Sequence, residues 1–258
     1  MKLPPVRSVK RALDLLSVVA FEDEGPGLAL RDLARRMELP PNSTHNLLKS
    51  MAAAGYVAQN AEGRYVAGPR CRQLSRIGAL RGPDALCAIE RAVADVSRRL
   101  GESVVFATLA DGARRLLAHA DPDRAVRVDV SQVRGPDPFA FVTGKVLVAY
   151  ATADERARAV ERNGWPAARW DHIRDAAALE RSCAAIRERG SASAANAANE
   201  TFSIACPVLD RGGALVGALG CFAPEYRCLK PDRARILRAL QAAAARLGRG
   251  LASGGGTA

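Results

Sequence analysis

Several features that would mark an enzyme, a metalloprotein or a membrane protein are absent from this sequence. Aromatic residues make up only 5% of it and histidine occurs three times, at His45, His119 and His172, too far apart to complete a ligand motif. The six cysteines (Cys71, Cys87, Cys183, Cys206, Cys221, Cys228) form no C-x-x-C pair, so a zinc site or disulfide frame is not expected, and reduced structural thiols are. Cys206 and Cys221, in apolar strand patterns, read as packing residues. No phosphate-binding loop and no complete nucleophilic triad occurs, so no metal, cofactor or catalytic residue is assigned. Lys145 reads as a packing or helix-surface residue rather than a Schiff-base lysine. No stretch approaches the roughly 20 uninterrupted apolar residues of a membrane span. The amino terminus also lacks a small-residue cleavage site. The expectation is a cytoplasmic protein, neither exported nor anchored.

What is present is a globular composition, 48% apolar and 25% charged, with a formal net charge of +11 over 258 residues. That balance favours polyanionic partners, although surplus arginine is also ordinary surface composition. Residues 1–78 carry 12 Lys/Arg against 7 Asp/Glu, and the other 180 carry 26 against 20. Positive charge is about twice as dense in the first part, which suits counterion release at a phosphate backbone.

Three helical patterns fill that first part. From Ser8, Val9, Ala12, Leu13, Leu16, Val19 and Ala20 form one stripe. An acidic, glycine-rich stretch from Glu22 to Gly27 breaks it. Leu30, Leu33, Ala34 and Met37 repeat the pattern in a short second helix with no good cap at its start. After the turn Leu39-Pro40-Pro41, a third helix places Thr44, Leu47, Leu48, Met51 and Ala54 on one face. Asn42, Ser43, His45, Asn46, Lys49 and Ser50 are left for its other surfaces, and Gly55 is placed as a left-handed cap. Residues 56–59 and 64–67 around Asn60-Ala61-Glu62-Gly63 read as a hairpin. This is the order of a winged helix-turn-helix. A helix about 10–12 Å across fits a major groove of about 12 Å, and the wing lays Arg64 along the phosphates. The same fold used for protein contacts is the alternative.

Beyond it, residues 69–82 hold Leu74, Ile77 and Leu80 at helical spacing and read as a linker helix in the subunit contact. A helix over 84–100 follows, then strands at 103–109, 115–119 and 126–130, helices at 141–150, 154–162 and 175–189, strands at 202–209 and 214–222, and a closing amphipathic helix over 233–251. Strands grouped apart from helices argue for an α+β sheet rather than a Rossmann fold. The expected organisation is a winged helix-turn-helix over 1–68, the linker over 69–82, an antiparallel sheet with flanking helices over 83–252, and a disordered tail over 253–258.

The segments Ser8-Val9-Lys10-Arg11-Ala12-Leu13, Leu33-Ala34-Arg35-Arg36-Met37-Glu38-Leu39-Pro40, His45-Asn46-Leu47-Leu48, Gly55-Tyr56-Val57 and Gly63-Arg64-Tyr65-Val66-Ala67-Gly68-Pro69 resemble the IclR-type transcriptional regulators. The resemblance continues more weakly through Gly144-Lys145 and Ser203-Ile204-Ala205-Cys206-Pro207-Val208. It implies a homodimer or homotetramer that binds operator DNA and carries a GAF-like domain for a small organic effector, often a carboxylic acid or aromatic catabolic intermediate. By residue matching, Asn42, Ser43, His45 and Asn46 sit on the recognition helix. The family frequently has arginine where Asn46 stands, so a guanine contact gives way to an amide suited to adenine. An effector is expected around Phe141, Thr143 and Gly144, where a helix start offers free amides, and the facing strands at Ser203, Gly220 and Phe222. The family's acidic stretch is replaced by Ser191 to Asn199, and its small polar pair by Gly220 and Phe222. The pocket is therefore less polar than the pattern leads one to expect, with Phe222 itself a candidate to fill it. Two other functions stay open: an enzyme with a vestigial winged helix, and a protein-binding scaffold.

Overall fold

The computed structural model describes residues 6–21, 27–129, 135–197 and 199–251. The acidic stretch 22–26, Val130, the Ile77 side chain and the tail lie outside the described residues. The chain divides between Gly78 and Ala79 into two compact units.

The first unit comprises α1 (Arg7–Phe21), α2 (Leu30–Arg36), α3 (Pro41–Ala53) and a hairpin of β1 (Val57–Gln59) with β2 (Tyr65–Ala67), and the first stretch of α4 (Pro69–Arg81), which crosses the division. Leu28 bridges to Tyr65 beside the hairpin. A small core joins Leu15, Val19, Leu33, Leu48, Met51, Val57 and Tyr65. The buried side of α1 is rotated from the expected stripe: Leu15 and Val19 are buried, whereas Val9, Leu13 and Ala20 are exposed. Leucine at 13, 15 and 16 permits more than one helical face, and packing on α3 and the hairpin selects the one centred on Leu15. Between α2 and α3 the chain turns at Glu38, whose φ is +51°. The Leu39 amide donates to the Ala34 carbonyl and the Glu38 amide to that of Arg35, a helix-closing arrangement in which glycine usually takes the left-handed position. Pro40 and Pro41 then open α3, where a missing amide hydrogen matters least.

In the second unit, five antiparallel strands run in the order β4-β3-β7-β6-β5: β3 (Ser103–Ala110), β4 (Ala113–Ala120), β5 (Ala192–Asn196), β6 (Thr201–Leu209) and β7 (Leu215–Pro224). Side chains alternate between two cores. Val104, Phe106, Ile204, Cys206, Leu219 and Cys221 meet α5 (Pro83–Leu100) and α9 (Lys230–Leu251) on one face. Val105, Ala107, Ala205, Ala218 and Phe222 meet α6 (Val142–Tyr150), α7 (Ala153–Asn163) and α8 (Ala176–Arg189) on the other. The fold is thus α+β with helices over an antiparallel sheet. Gly101, at φ +69°, ends α5 in the left-handed conformation. Buried cysteine thiols are held protonated by desolvation, Cys183 pushed up to about 11 and Cys206 to about 12.

Two strand expectations change. Residues 126–129 form no strand. β4 is already the sheet margin, and the carbonyls of Val126 and Val128 instead accept from the Arg227 Nη2 and Ser103 Oγ atoms, at 3.1 and 3.0 Å. Conversely, Ala192–Asn196 is a strand despite its alanine, serine and asparagine, because β6 supplies a full ladder of partners.

Local capping fixes α7. The Thr152 hydroxyl accepts from the Glu155 amide at 3.3 Å while a Glu155 carboxylate oxygen accepts from the Thr152 amide at 3.0 Å. Thr152→Ala should lower stability by about 1 kcal/mol, read as a shift in the urea midpoint with an unchanged slope.

Candidate DNA-reading and effector sites

α3 is held by Thr44, Leu48 and Met51, all buried, and Leu47, partly buried. Thr44 Oγ1 donates back to the Pro40 carbonyl at 3.3 Å, so the one hydroxyl on the inner face is satisfied. Asn42, Ser43, His45, Asn46 and Lys49 are all exposed along the outer side. Their small polar side chains cluster in the first half of the helix, with Lys49 one turn further on. Arg64 immediately precedes β2 and is exposed, but its Nη1 donates to the Gly27 carbonyl at 3.2 Å. The guanidinium is therefore tethered to its own unit at one nitrogen. On α2, Arg31 and Arg35 are 90% and 80% exposed at the side chain and share Asp32. The sequence reading did not single them out; their periodicity on the outer face of α2 was the available signal.

The second group of candidates lies where α6 begins, above the α6 face of the sheet. A β-carbon built on Gly220 would come within 2.4 Å of Thr143 Cγ2 and 3.6 Å of Phe222 Cε2, so Thr143 and Phe222 converge on this glycine. Ser203 is paired in register with Phe222 across β6 and β7, and its hydroxyl donates to the Ala194 carbonyl at 3.3 Å. Thr143, Gly220, Phe222 and Ser203 therefore share one neighbourhood. Gly144 differs: a β-carbon there would lie 2.1 Å from the Pro138 carbonyl oxygen. Its lack of a side chain lets the strand-to-helix connection pack against α6. The amides of Val142, Thr143 and Gly144 lie in the first helical turn, where intrahelical acceptors are lacking.

The residue that sequence reasoning missed is Arg114. It is 1% exposed, its Nε donates to Thr143 Oγ1 at 2.7 Å, and its Nη1 donates to the Gly135 carbonyl at 3.3 Å. Its guanidinium carbon stands 4.7 Å from the centre of the Phe141 ring. Burial lowers its pKa to about 10, which still leaves it charged at neutral pH. The available signal was strand parity: Arg114 and Leu116 project to the same side of β4, and Leu116 packs in the core under α6. Lys145, half-buried, places its ammonium 5.8 Å from the Trp170 ring centre. Burial pushes it below the ordinary lysine range, against the opposing charge of Asp171.

A three-helix unit with a β-hairpin wing, followed by a helix-flanked antiparallel sheet, defines a two-domain winged helix-turn-helix protein. Residues 8–61 match the IclR helix-turn-helix domain, and residues 78–249 match the carboxyl-terminal domain of the bacterial transcriptional regulator IclR. The chain belongs to the IclR family of transcriptional regulators. It is 25% identical to the HTH-type transcriptional regulator XynR of Escherichia coli, over 96% of this chain and 98% of that one. It is 29% identical to the glycerol operon regulatory protein of Streptomyces griseus, over the same shares. Among solved structures, it is similar to an IclR transcriptional regulator from Alicyclobacillus acidocaldarius (TM-score 0.55, 21% identity, 98% and 100% of the two chains covered). It is also similar to an IclR homologue of Microbacterium hydrocarbonoxydans complexed with 4-hydroxybenzoate (TM-score 0.52, 22% identity, 95% and 99% covered). The chain is thus a transcriptional regulator with a DNA-binding helix-turn-helix and a carboxyl-terminal effector domain. The family and its named members are regulators, not enzymes. Among the described residues no helix is long and apolar enough to cross a membrane.

Proposed function

We propose that this protein is a cytoplasmic, homodimeric or homotetrameric regulator that binds a discrete operator and responds to a small carboxylic or aromatic catabolic intermediate. Residues 1–68 read the DNA, 69–82 link, and 83–252 sense. The observation that carries the DNA half is the division of α3 into a buried Thr44-Leu48-Met51 side and an exposed Asn42-Ser43-His45-Asn46-Lys49 side. Asn46 contacts a base edge, its amide matched to adenine. Asn42, Ser43 and His45 line the same approach, while Lys49 and Arg64 meet phosphates. Two protomers present two such helices to half-sites about one helical turn apart. The effector seat is formed by Phe141, Thr143, Gly144, Ser203, Gly220 and Phe222. A ring-bearing acid such as the one held by the Microbacterium homologue illustrates the class. The effector acts by binding one arrangement of the protomers better than the other.

Quantitative footprinting on the DNA flanking the gene tests this reading. Asn46→Ala should cost about tenfold in affinity for the operator and relax preference at one base pair, since a bidentate base contact contributes about 1–3 kcal/mol. Arg64→Ala should weaken binding to all sequences and reduce the salt slope by about 1. Equal losses on every sequence for both variants would contradict the division of roles, and failure to protect any site would contradict the function.

A further inference from the structure

We infer that Arg114 is the residue by which the sensor domain reads the acid group of its effector, so that the protein responds to a monocarboxylate and discriminates against the neutral amide of the same shape. This rests on the effector reading above, and deepens it by assigning a specificity-determining residue and the charge of the ligand.

The first argument is placement. Arg114 lies at the beginning of β4, two residues after the turn at Asp111 and Gly112. Its side chain runs inward to Thr143 at the start of α6. Thr143 in turn rests on Gly220, beside Phe222. One guanidinium, one hydroxyl and two aromatic rings, those of Phe141 and Phe222, are therefore assembled from β4, β7 and the beginning of α6. Phe141 and Thr143 are two residues apart in sequence; the fold brings Arg114 and Phe222 to them.

The second argument is energetic. An arginine that is 1% exposed has given up nearly all its hydration, and two of the bonds that hold it go to neutral oxygens, Thr143 Oγ1 and the Gly135 carbonyl. A neutral acceptor returns less than a carboxylate does, because a carboxylate adds an opposite charge and can accept two parallel N–H bonds at once. The guanidinium carbon stands over the Phe141 ring, and the planar N–H groups of a guanidinium match the two oxygens of a carboxylate. Lysine could not present the same fork. The charge persists at neutral pH even after the fall caused by burial.

The third argument is the route by which such binding would be felt. The Arg114 amide donates to the Pro136 carbonyl at 2.7 Å, and its side chain holds Gly135 and Thr143. An incoming carboxylate that takes the Nε–H from Thr143 loosens the hold of β4 on α6, while Nη1 and the backbone amide keep their hold on Gly135 and Pro136. Acid binding is thus coupled to the position of α6 through a single side chain.

The test uses full-length protein and paired probes: benzoate, 4-hydroxybenzoate and phenylacetate, each with its primary amide. Affinity is measured by calorimetry, and response by the change in operator affinity. In the wild type, at least one acid should bind ten times or more tighter than its amide. Arg114→Gln should erase that ratio, and Arg114→Lys should retain part of it. The ratio is unmoved by a general loss of packing, which weakens both members of a pair alike. If the Gln variant does not fold, the wild-type ratio and the Lys variant still decide. A wild type that binds amides as well as acids, that binds no acid at all, or whose preference survives in the Gln variant overturns the inference. Amides that change operator affinity where acids do not would overturn it while leaving the effector reading intact. If neither acids nor amides change operator affinity, the effector reading itself loses its support.

Discussion

Arg227→Ala should lower the stability of the sensor domain by about 3 kcal/mol, the low end of the range for breaking a buried ion pair, because Glu102 is buried while the Arg227 side chain is 21% exposed. Arg227 Nη2 donates to one Glu102 oxygen at 2.9 Å, and Nε lies 2.9 Å from the other as an ion pair. The Glu102 side chain is only 6% exposed. Its remaining cation, Arg124, stands 3.7 Å away on a half-exposed side chain and is a poor substitute. The effect arises because the carboxylate left behind is shielded from most water by its surroundings. The same substitution releases the Val126 carbonyl from Nη2, freeing the segment that runs beside β3. Both tryptophans, Trp165 and Trp170, lie in this unit, so urea unfolding followed by tryptophan fluorescence reports on it selectively. The double variant Arg227→Ala, Glu102→Gln should recover part of the loss, because the stranded charge is then gone. No recovery in the double variant would assign the effect to packing of the arginine stem.

Gly248→Ala should be of similar size, about 3 kcal/mol, although alanine is the better helix former by about 1 kcal/mol. A β-carbon at this position of α9 would lie 1.9 Å from the Leu209 carbonyl oxygen. The obstacle is backbone at the end of β6, not the tip of a movable side chain. α9 would have to withdraw from the sheet, taking Leu240, Ala244 and Leu247 with it. Gly250→Ala is the internal control, for nothing lies within 4 Å of a β-carbon there. It should be neutral or slightly stabilising in the same fluorescence-monitored denaturation.

The strong periodicities were legible in the sequence. Ile236, Leu240, Ala244 and Leu247 repeat at helical spacing without competition, and all four are buried on the inner face of α9. The alternation along β6 and β7, bounded by the Asp210-Arg211-Gly212-Gly213 turn, fixed the two central strands in the same way. Where several leucines crowd one helix, as at 13, 15 and 16, periodicity alone does not choose the face; the tertiary partner does. The alternating run Val126-Arg127-Val128-Asp129 has the pattern of a strand but no described ladder, since the pattern describes a face and not a partner. Arg114 was hidden for a related reason. A charged residue beside a turn reads as surface until the neighbouring strand parity and the helix above it are known. Of the α6-face candidates, Thr143, Gly220, Phe222 and Ser203 converge, while Gly144 serves the close approach of Pro138.

The margin of the sheet formed by Ala192–Asn196 has a consequence of its own. An outermost strand is a template on which a foreign chain can extend the sheet, and proteins with long β-branched margins run that risk whenever they are concentrated. Here the template is composed of residues that favour extended pairing poorly and present little apolar area for a second layer to cover. What makes this strand dependent on β6 for its existence also makes it an unattractive seed for edge-to-edge aggregation.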